Sequence, residues 1–586
     1  MNHSAIVAAP QPGAGSTTAS AFWQTVARPE VIFLLAVATL AVRLLVISEP
    51  ILMHDEYYYI KTAQLWYDGT IDTRAITSVP NRGEAGFPNA LFFAIYQFTY
   101  FFGADFYAAG KLFNVFFASL AALAVASVAR HFVTREVATW IAVLALWMPS
   151  TSFLPYFMPE ALYECLTWTG IALLFSLYGR SVALAAVALG ACLGAALLAK
   201  PNALAVLAAC NLVLLCVVWK DGKRADRLRT MVLALVLLNV SFLLAGYVLN
   251  LLLTGHLHWD PLGKFYQNGL SRVAEVTTDR GYLHVFANYF FAYVFVIFLV
   301  FGPALIALGS GVFSTRLSNA DVMLAAMTVL GVGVLLMGSV KVGVNWERVY
   351  VNHVGIFSSR YMSALFPLFF IAFARFLPDA SANRRLRAWI GGFVVLACVA
   401  LMAVRSIVNN WNQMREVFWP RALHPDAFRV VCALLVLTML YYAFARAPRA
   451  KVYAGVMALW AFVSAAVMLN NDFGSAHAGD ARRDANTART VAGLVNAQSF
   501  DQGHVVSGNV LYATRFMSRF PGIVSLEVVK DTTAPVPRSQ IPPKARWVVF
   551  LAGARPGFDA NCIALKDATL CPLADGALYT NQHRAD

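Results

Sequence analysis

The segment ILMHDEYYYIKTAQLWYDG (Ile51–Gly69) sets two adjacent carboxylates, Asp55 and Glu56, at the head of a run crowded with tyrosine and tryptophan. It follows directly on an apolar stretch, Val31–Ser48, and acidic groups beside hydrocarbon are costly. Two chemistries account for them. They can cap the first turn of an interfacial helix whose aromatics, Tyr57–Tyr59 and Trp66–Tyr67, anchor it among lipid headgroups. Alternatively one of them is a general base, tuned by partial burial to take a proton. Three further sites carry candidate chemistry. In FLPYFMPEALYECLTW (Phe153–Trp168), Glu160 follows a proline, which is also an ordinary helix start. In AKPNA (Ala199–Ala203), Lys200 can snorkel to headgroups or hold a phosphate as a point charge. In SSRYMSALFP (Ser358–Pro367), Arg360 and Tyr361 suit either bidentate phosphate contact or interfacial anchoring.

The elements that position these residues follow from composition. The chain has 586 residues, is 59% hydrophobic and only 13% charged, against about 25% charged in soluble chains. Apolar runs of about 20 residues, enough to cross a bilayer, recur along most of it. This reads as an all-α polytopic membrane domain of about twelve or thirteen crossings. The spans fall near Val31–Ser48, Leu112–Ala129, Val137–Phe153, Ala161–Tyr178, Val182–Ala199, Ala203–Trp219, Met231–Leu253, Val285–Val312, Val322–Gly338, Tyr361–Phe376, Trp389–Val404, Phe428–Phe444 and Val452–Leu469, with Leu91–Phe102 taken as interfacial. The net charge of +14 does not indicate nucleic acid, because the basic residues sit in short clusters between apolar runs. Those clusters, at Arg130–Glu136, Lys220–Arg229, Ser314–Asn319, Asn383–Arg387 and Arg446–Lys451, mark alternate connections as cytoplasmic. Asp55, Glu56, Glu160, Lys200 and Arg360 then share the opposite, outer face, which places two or three carboxylates and two cations together.

Residues 1–27 read as a disordered cytoplasmic tail with no cleavable signal peptide, 28–470 as the membrane domain with a long first outer loop at 49–89, and 471–586 as a soluble α/β domain outside. In that domain Asp480–Gln498 has helical spacing, and His504–Gly508 and Arg546–Gly553 read as buried strands. Six cysteines lie in apolar spans, whereas Cys562 and Cys571 can pair in an oxidising compartment. No glycine-rich nucleotide fingerprint occurs. His54, Asp55 and Glu56, or His256, His258 and Asp260, offer oxygen and nitrogen donors, so a divalent metal is an open option rather than a requirement. Arg82, Lys264, Arg272, Arg280, Lys341 and Arg348 in outer loops suit either an anionic ligand or anionic headgroups.

The acidic pair in the first outer loop, MPEALYECL before the fourth span, AKPNA and SSRYMSALFP together resemble the GT-C superfamily of integral-membrane glycosyltransferases. The likeness, over roughly 31–470, is to the branch of protein O-mannosyltransferases and lipid A aminoarabinose transferases. It implies a polyprenyl-phosphate sugar donor, an inverting transfer and an active site at the outer surface of a bacterial inner membrane. The acceptor would be a periplasmic or membrane-associated glycan, a glycolipid such as lipopolysaccharide, or a protein. By that resemblance Asp55 would be the catalytic base, Glu56 or Glu160 a second acidic group, and Lys200, Arg360 and Tyr361 the donor-phosphate ligands. The second acidic residue is Glu where some relatives have Asp. The competing expectation is a transporter or flippase of lipid-linked sugars, which would place charge at the bilayer midplane in two repeated halves; the middles of these spans are nearly free of charge.

Overall fold

The computed structural model describes residues 28–46, 56–69, 89–148, 153–221, 224–255, 280–313, 316–337, 363–402, 425–460, 476–520, 524–529 and 532–578. The described chain is mostly helical: α1 (Pro29–Val46), α2 (Glu56–Tyr67), α3 (Ala90–Tyr96), α4 (Phe106–Ala129), α5 (Arg135–Trp147), α6 (Glu160–Tyr178), α7 (Val182–Ala199), α8 (Ala203–Asp221), α9 (Arg224–Thr254), α10 (Arg280–Val312), α11 (Asn319–Ala326), α12 (Pro367–Ala382), α13 (Arg384–Met402), α14 (Pro425–Phe444) and α15 (450–460). Seven described helices, counting α11 with its continuation to Met337, are long and apolar enough to cross a membrane. On α9 only 22% of the apolar window is buried, and Leu233, Val236, Val240 and Leu244 are exposed. Such a face is at home in lipid, where helices also satisfy every backbone polar group internally.

The expected span Val182–Ala199 coincides with α7, whereas Leu112–Ala129 starts six residues late, because Phe106–Lys111 already belong to α4. The stretch expected near Tyr361–Phe376 is helical from Pro367 to Ala382, the proline occupying the first turn, where a missing amide hydrogen costs nothing. Leu91–Phe102 is a short helix running into a 3-10 segment (Gln97–Asp105) with Phe98, Phe101 and Phe102 exposed. Helices α7 and α9 approach at Gly190 and Gly194, where an added Cβ would come within 2.3 Å of the Leu238 carbonyl and 2.4 Å of the Phe242 carbonyl. Small residues four apart are what lets two apolar helices touch backbone to backbone.

Because successive helices run up and down, their ends gather into two sets. At one end lie the basic clusters: the Arg135–Glu30 ion pair, Lys220 donating to the Leu317 carbonyl, and Arg387 donating to the Ala445 carbonyl. There Arg375 also bonds Asp321 and Asp379, both at 2.7 Å, with Asp321 closing a capping box on Ser318. At the other end lie the starts of α2, α4 and α6 and the finish of α7.

Beyond the helices the chain forms a five-stranded sheet, β1 (Gly503–Ser507), β2 (Ser525–Val528), β3 (Trp547–Leu551), β4 (Ile563–Ala564) and β5 (Ala568–Pro572), in the order β2-β1-β3-β5-β4. The first three strands are parallel, and β5 and β4 are antiparallel additions. Period-2 alternation builds two cores. Val505, Trp547, Val549 and Leu551 face α16 (Ala476–Leu494) and α17 (Val510–Arg519), while Val506, Val548 and Phe550 face the loops around Val536 and Ile541. A disulfide joins Cys562 and Cys571 beside β4 and β5.

Candidate functional site

Helix α2 begins at Glu56, whose side chain has no exposure at all. Its Oε1 accepts hydrogen bonds from the Tyr107 hydroxyl and from the Phe157 amide at 2.6 Å. Phe157 is free to donate because it sits in the segment FLPYFMP ahead of α6, where Pro155 and Pro159 prevent helical hydrogen bonding. Asn114 staples that segment to α4, donating to the Leu154 carbonyl at 2.8 Å and the Tyr156 carbonyl at 2.7 Å while accepting from Tyr96. Tyr107, Lys111 and Asn114 are four and seven positions apart along α4, so they share one face, and all three are buried. The Lys111 ammonium lies 5.2 Å from the centre of the Tyr107 ring. A buried polar stripe in an otherwise apolar span makes this a candidate site. It was readable as Y-x3-K-x2-N, but the expected span began one residue too late to include Lys111.

The hairpin of α6 and α7 returns the chain to the same end, and there Glu160 meets Lys200. The ammonium lies 2.8 Å from Glu160 Oε1, with both residues buried. Lys200 leaves α7 in an extended conformation before Pro201, and the ammonium stands 5.9 Å from the Tyr163 ring centre. Asn89 donates to the Ala199 carbonyl and pins the turn from the other side. The sequence treated Glu160 and Lys200 as separate candidates, a carboxylate and a phosphate ligand; in the structure each is the other's partner. Taking both charges out of water is expensive, and removing either partner strands the other.

Helix α2 is held between two bodies. Tyr59, Ile60 and Ala63 pack into the core of the helical bundle, while Tyr57 packs into the core of the C-terminal sheet region. Burial of both tyrosines, at 6% and 7% exposure, replaces the expected role of headgroup anchors for this pair. Lys61, one turn beyond Tyr57, donates to the Phe520 carbonyl at 2.6 Å and to Gln64 at 2.9 Å. Burial pulls its ammonium down to about 7, with Asp501 and Asp68 opposing that shift. From the same C-terminal region Arg519 reaches over the Tyr107 ring at 5.0 Å and the Phe106 ring at 5.9 Å. Arg519 thus touches the tyrosine that holds Glu56. Sequence reasoning missed Lys61, Tyr107, Asn114 and Arg519; the last contact spans more than 400 positions and leaves no local signal.

Asp55, Arg360 and Tyr361 lie outside the described residues, as do His54, Arg82, His256, His258, Asp260, Lys264, Arg272, Lys341 and Arg348. Among the described residues no group of three or more His, Cys, Asp or Glu is placed to hold a metal ion. What the described residues bring together is a closed arrangement: Glu56 fixed by Tyr107 and Phe157, the Glu160–Lys200 pair, buried Lys111, and Arg519 arriving from the C-terminal region. No protein-family model matches this chain, and no curated protein matches it in sequence.

Proposed function

We propose that the chain is a membrane glycosyltransferase that moves a sugar from a polyprenyl-phosphate donor to an acceptor outside the cytoplasm, with inversion. One observation carries the reading: Glu56 is spent inside the protein as an anchor, which fixes the N-terminus of α2 beside a cluster of buried cations and carboxylates. Asp55 is the next residue back along the chain. In the proposed scheme Asp55 is the general base, and the anchoring of its neighbour Glu56 supports that position.

In the proposed reaction the acceptor hydroxyl oxygen attacks the anomeric carbon as the bond from that carbon to the phosphate oxygen breaks. Asp55 takes the hydroxyl proton, and the polyprenyl phosphate leaves with the electron pair. A single displacement inverts the anomeric centre. Negative charge grows on the leaving phosphate, where preorganised cations lower the barrier. Arg360 with Tyr361 is the proposed phosphate contact, joined by Lys111 from α4; Lys200, already paired with Glu160, acts by holding the α6–α7 hairpin rather than as an open ligand. Glu56 and Glu160 are positioning residues in this scheme.

The orientation follows from charge. The basic end is the cytoplasmic one by the positive-inside rule, so the Glu56 end and the C-terminal region face outward, across an inner membrane. The Cys562–Cys571 disulfide suits an oxidising compartment. The test is transfer of label from a panel of radiolabelled polyprenyl-phosphate sugars to membrane acceptors by purified protein and by Asp55→Asn. Transfer by the parent and its loss in the variant, at unchanged thermal stability, is the expected result. A parent that neither transfers sugar from nor binds any of these donors rules the proposal out in favour of a transporter.

A further inference from the structure

A cavity of about 520 Å³ lies in the C-terminal sheet region, lined by none of the residues named in the proposed transfer. It opens where β1 and β3 end, lined by Asn509 just after β1 and by Ala552 and Gly553 just after β3. The sheet order makes this edge special. From β1 the chain proceeds through α17 to β2 on one side, and from β3 it proceeds to β4 and β5 on the other. The two connections part between adjacent parallel strands, and the crevice so formed at the carboxyl edge is where open α/β sheets receive ligands.

The floor is built by close backbone approach. Gly508 donates to the Leu551 carbonyl, and a Cβ at position 508 would stand 2.7 Å from the Ala552 carbonyl oxygen, so only glycine fits. Ala552 adopts a φ of 52°, a conformation an L-residue enters at a cost of about 1 kcal/mol. The walls carry charge from three separate elements: Arg483 on α16, which also pairs with buried Asp484 at 3.6 Å, Arg555 after β3 and Lys566 between β4 and β5. One carboxylate, Asp567, accompanies them, with Asn509 and Thr569 as neutral polar groups. Asn509, which lines the same space, stands at the N-terminus of α17 and accepts from the Tyr512 amide at 3.3 Å.

We propose that this crevice binds a phosphate-bearing saccharide, its phosphate held by Arg483, Arg555 and Lys566 and its hydroxyls by Asn509, Asp567 and Thr569. Three cations line the space against Asp567, with Asp484 behind Arg483, so positive charge is in excess and favours an anion, and the neutral polar groups and the carboxylate suit sugar hydroxyls. Helix α17 ties the crevice to the membrane-domain site. Tyr512 lines the cavity and Arg519 touches Tyr107. A separation of seven positions along the helix spans about 10 Å. Resting on the transferase reading, the bound saccharide is then the phosphorylated part of the acceptor, docked along α17 from the reacting centre.

Binding is measured by isothermal titration of the full-length protein in nanodiscs with glucose 6-phosphate, glucose and inorganic phosphate. Glucose 6-phosphate is expected to bind the parent more tightly than inorganic phosphate does, glucose not to bind, and R555Q/K566Q to weaken the phosphate sugar by about tenfold. Both replaced residues are exposed, so thermal unfolding should not change; Thr569→Val supplies a second, uncharged probe of the wall. Absence of glucose 6-phosphate binding to the parent, or equal affinity in R555Q/K566Q, overturns the proposal. Inorganic phosphate binding as tightly as the phosphate sugar overturns its saccharide part. The Asp55→Asn protein is expected to bind like the parent, so failure of transfer and failure of this subsite are read separately.

Discussion

The two ends of the helical bundle use the same residue types in opposite ways. At the basic end, Arg135 and Glu30 pair with more than half of each side chain exposed, and Arg375 bridges Asp321 and Asp379 while still a quarter exposed. At the Glu56 end, Glu160 and Lys200 pair with 10% and 5% of their side chains exposed, and Glu56 has none. Water screens the Arg135–Glu30 pair, so it orients the protein more than it stabilises it, whereas Asp321 and Arg387 at the same end are buried and lean on Arg375 and on the Ala445 carbonyl. The second set has lost its water, so each polar group there depends on a named protein partner. The exposed Arg135–Glu30 pair is replaceable, and the buried charge at the Glu56 end is not.

The sharpest way to break that contrast is to remove one member of the buried pair. Lys200→Met leaves Glu160 stranded and is expected to cost about 3–5 kcal/mol in thermal or denaturant unfolding. The double change Lys200→Met with Glu160→Leu should restore most of the loss, because the uncompensated charge goes too. A single variant as stable as the parent would mean that water reaches the pair.

The docked C-terminal region extends the contrast to pH. His504 on β1 is 3% exposed, and burial holds its imidazole down to about 4. Glu527, 3.7 Å away and about a third exposed, is too well solvated to reverse this. Unfolded, the imidazole takes a proton at about 6.5. Between those values the unfolded chain holds more protons, so stability is fully present above 6.5 and falls as pH drops towards 4, by about 3 kcal/mol in total. Amide hydrogen exchange in β1 and β3 at pH 7 and pH 5 measures the drop, and His504→Gln should flatten it.

The smallest effect belongs to the basic end. Arg135→Ala is expected to change unfolding free energy by about 1 kcal/mol or less. A loss matching that of Lys200→Met would erase the distinction between the two ends.

How much of this was legible in the sequence differs by element. Seven of the expected spans were, matching described helices long and apolar enough to cross a membrane, and α7 was bounded to the residue. Strands β1 and β3 were also legible as short apolar runs. Strands β2, β4 and β5 were not: SLEV and the IALKDATLCP region mix charged and apolar residues in runs too short for periodicity to register. The gathering of Glu160 and Lys200 at one end was half readable, since two helices of similar length and a tight turn must bring the chain back to its starting level. Their direct pairing was not, because it depends on the rotation of each helix about its axis. Glu56 was legible as a candidate at the start of α2, but its full burial and its partners were not. Adjacent carboxylates look equivalent in a sequence, and only the partners Tyr107 and Phe157 reveal that one of them is spent on anchoring.

That division of labour between neighbours is the central claim, and parallel measurement of Asp55→Asn and Glu56→Gln tests it most directly. Each variant is assayed for sugar transfer from a polyprenyl-phosphate donor and for thermal unfolding. The account predicts that Asp55→Asn abolishes transfer without moving the unfolding temperature, while Glu56→Gln lowers the unfolding temperature and impairs transfer only in part. Full transfer by Asp55→Asn, with activity lost instead in a stably folded Glu56→Gln, would contradict it and make the buried carboxyl the reacting group.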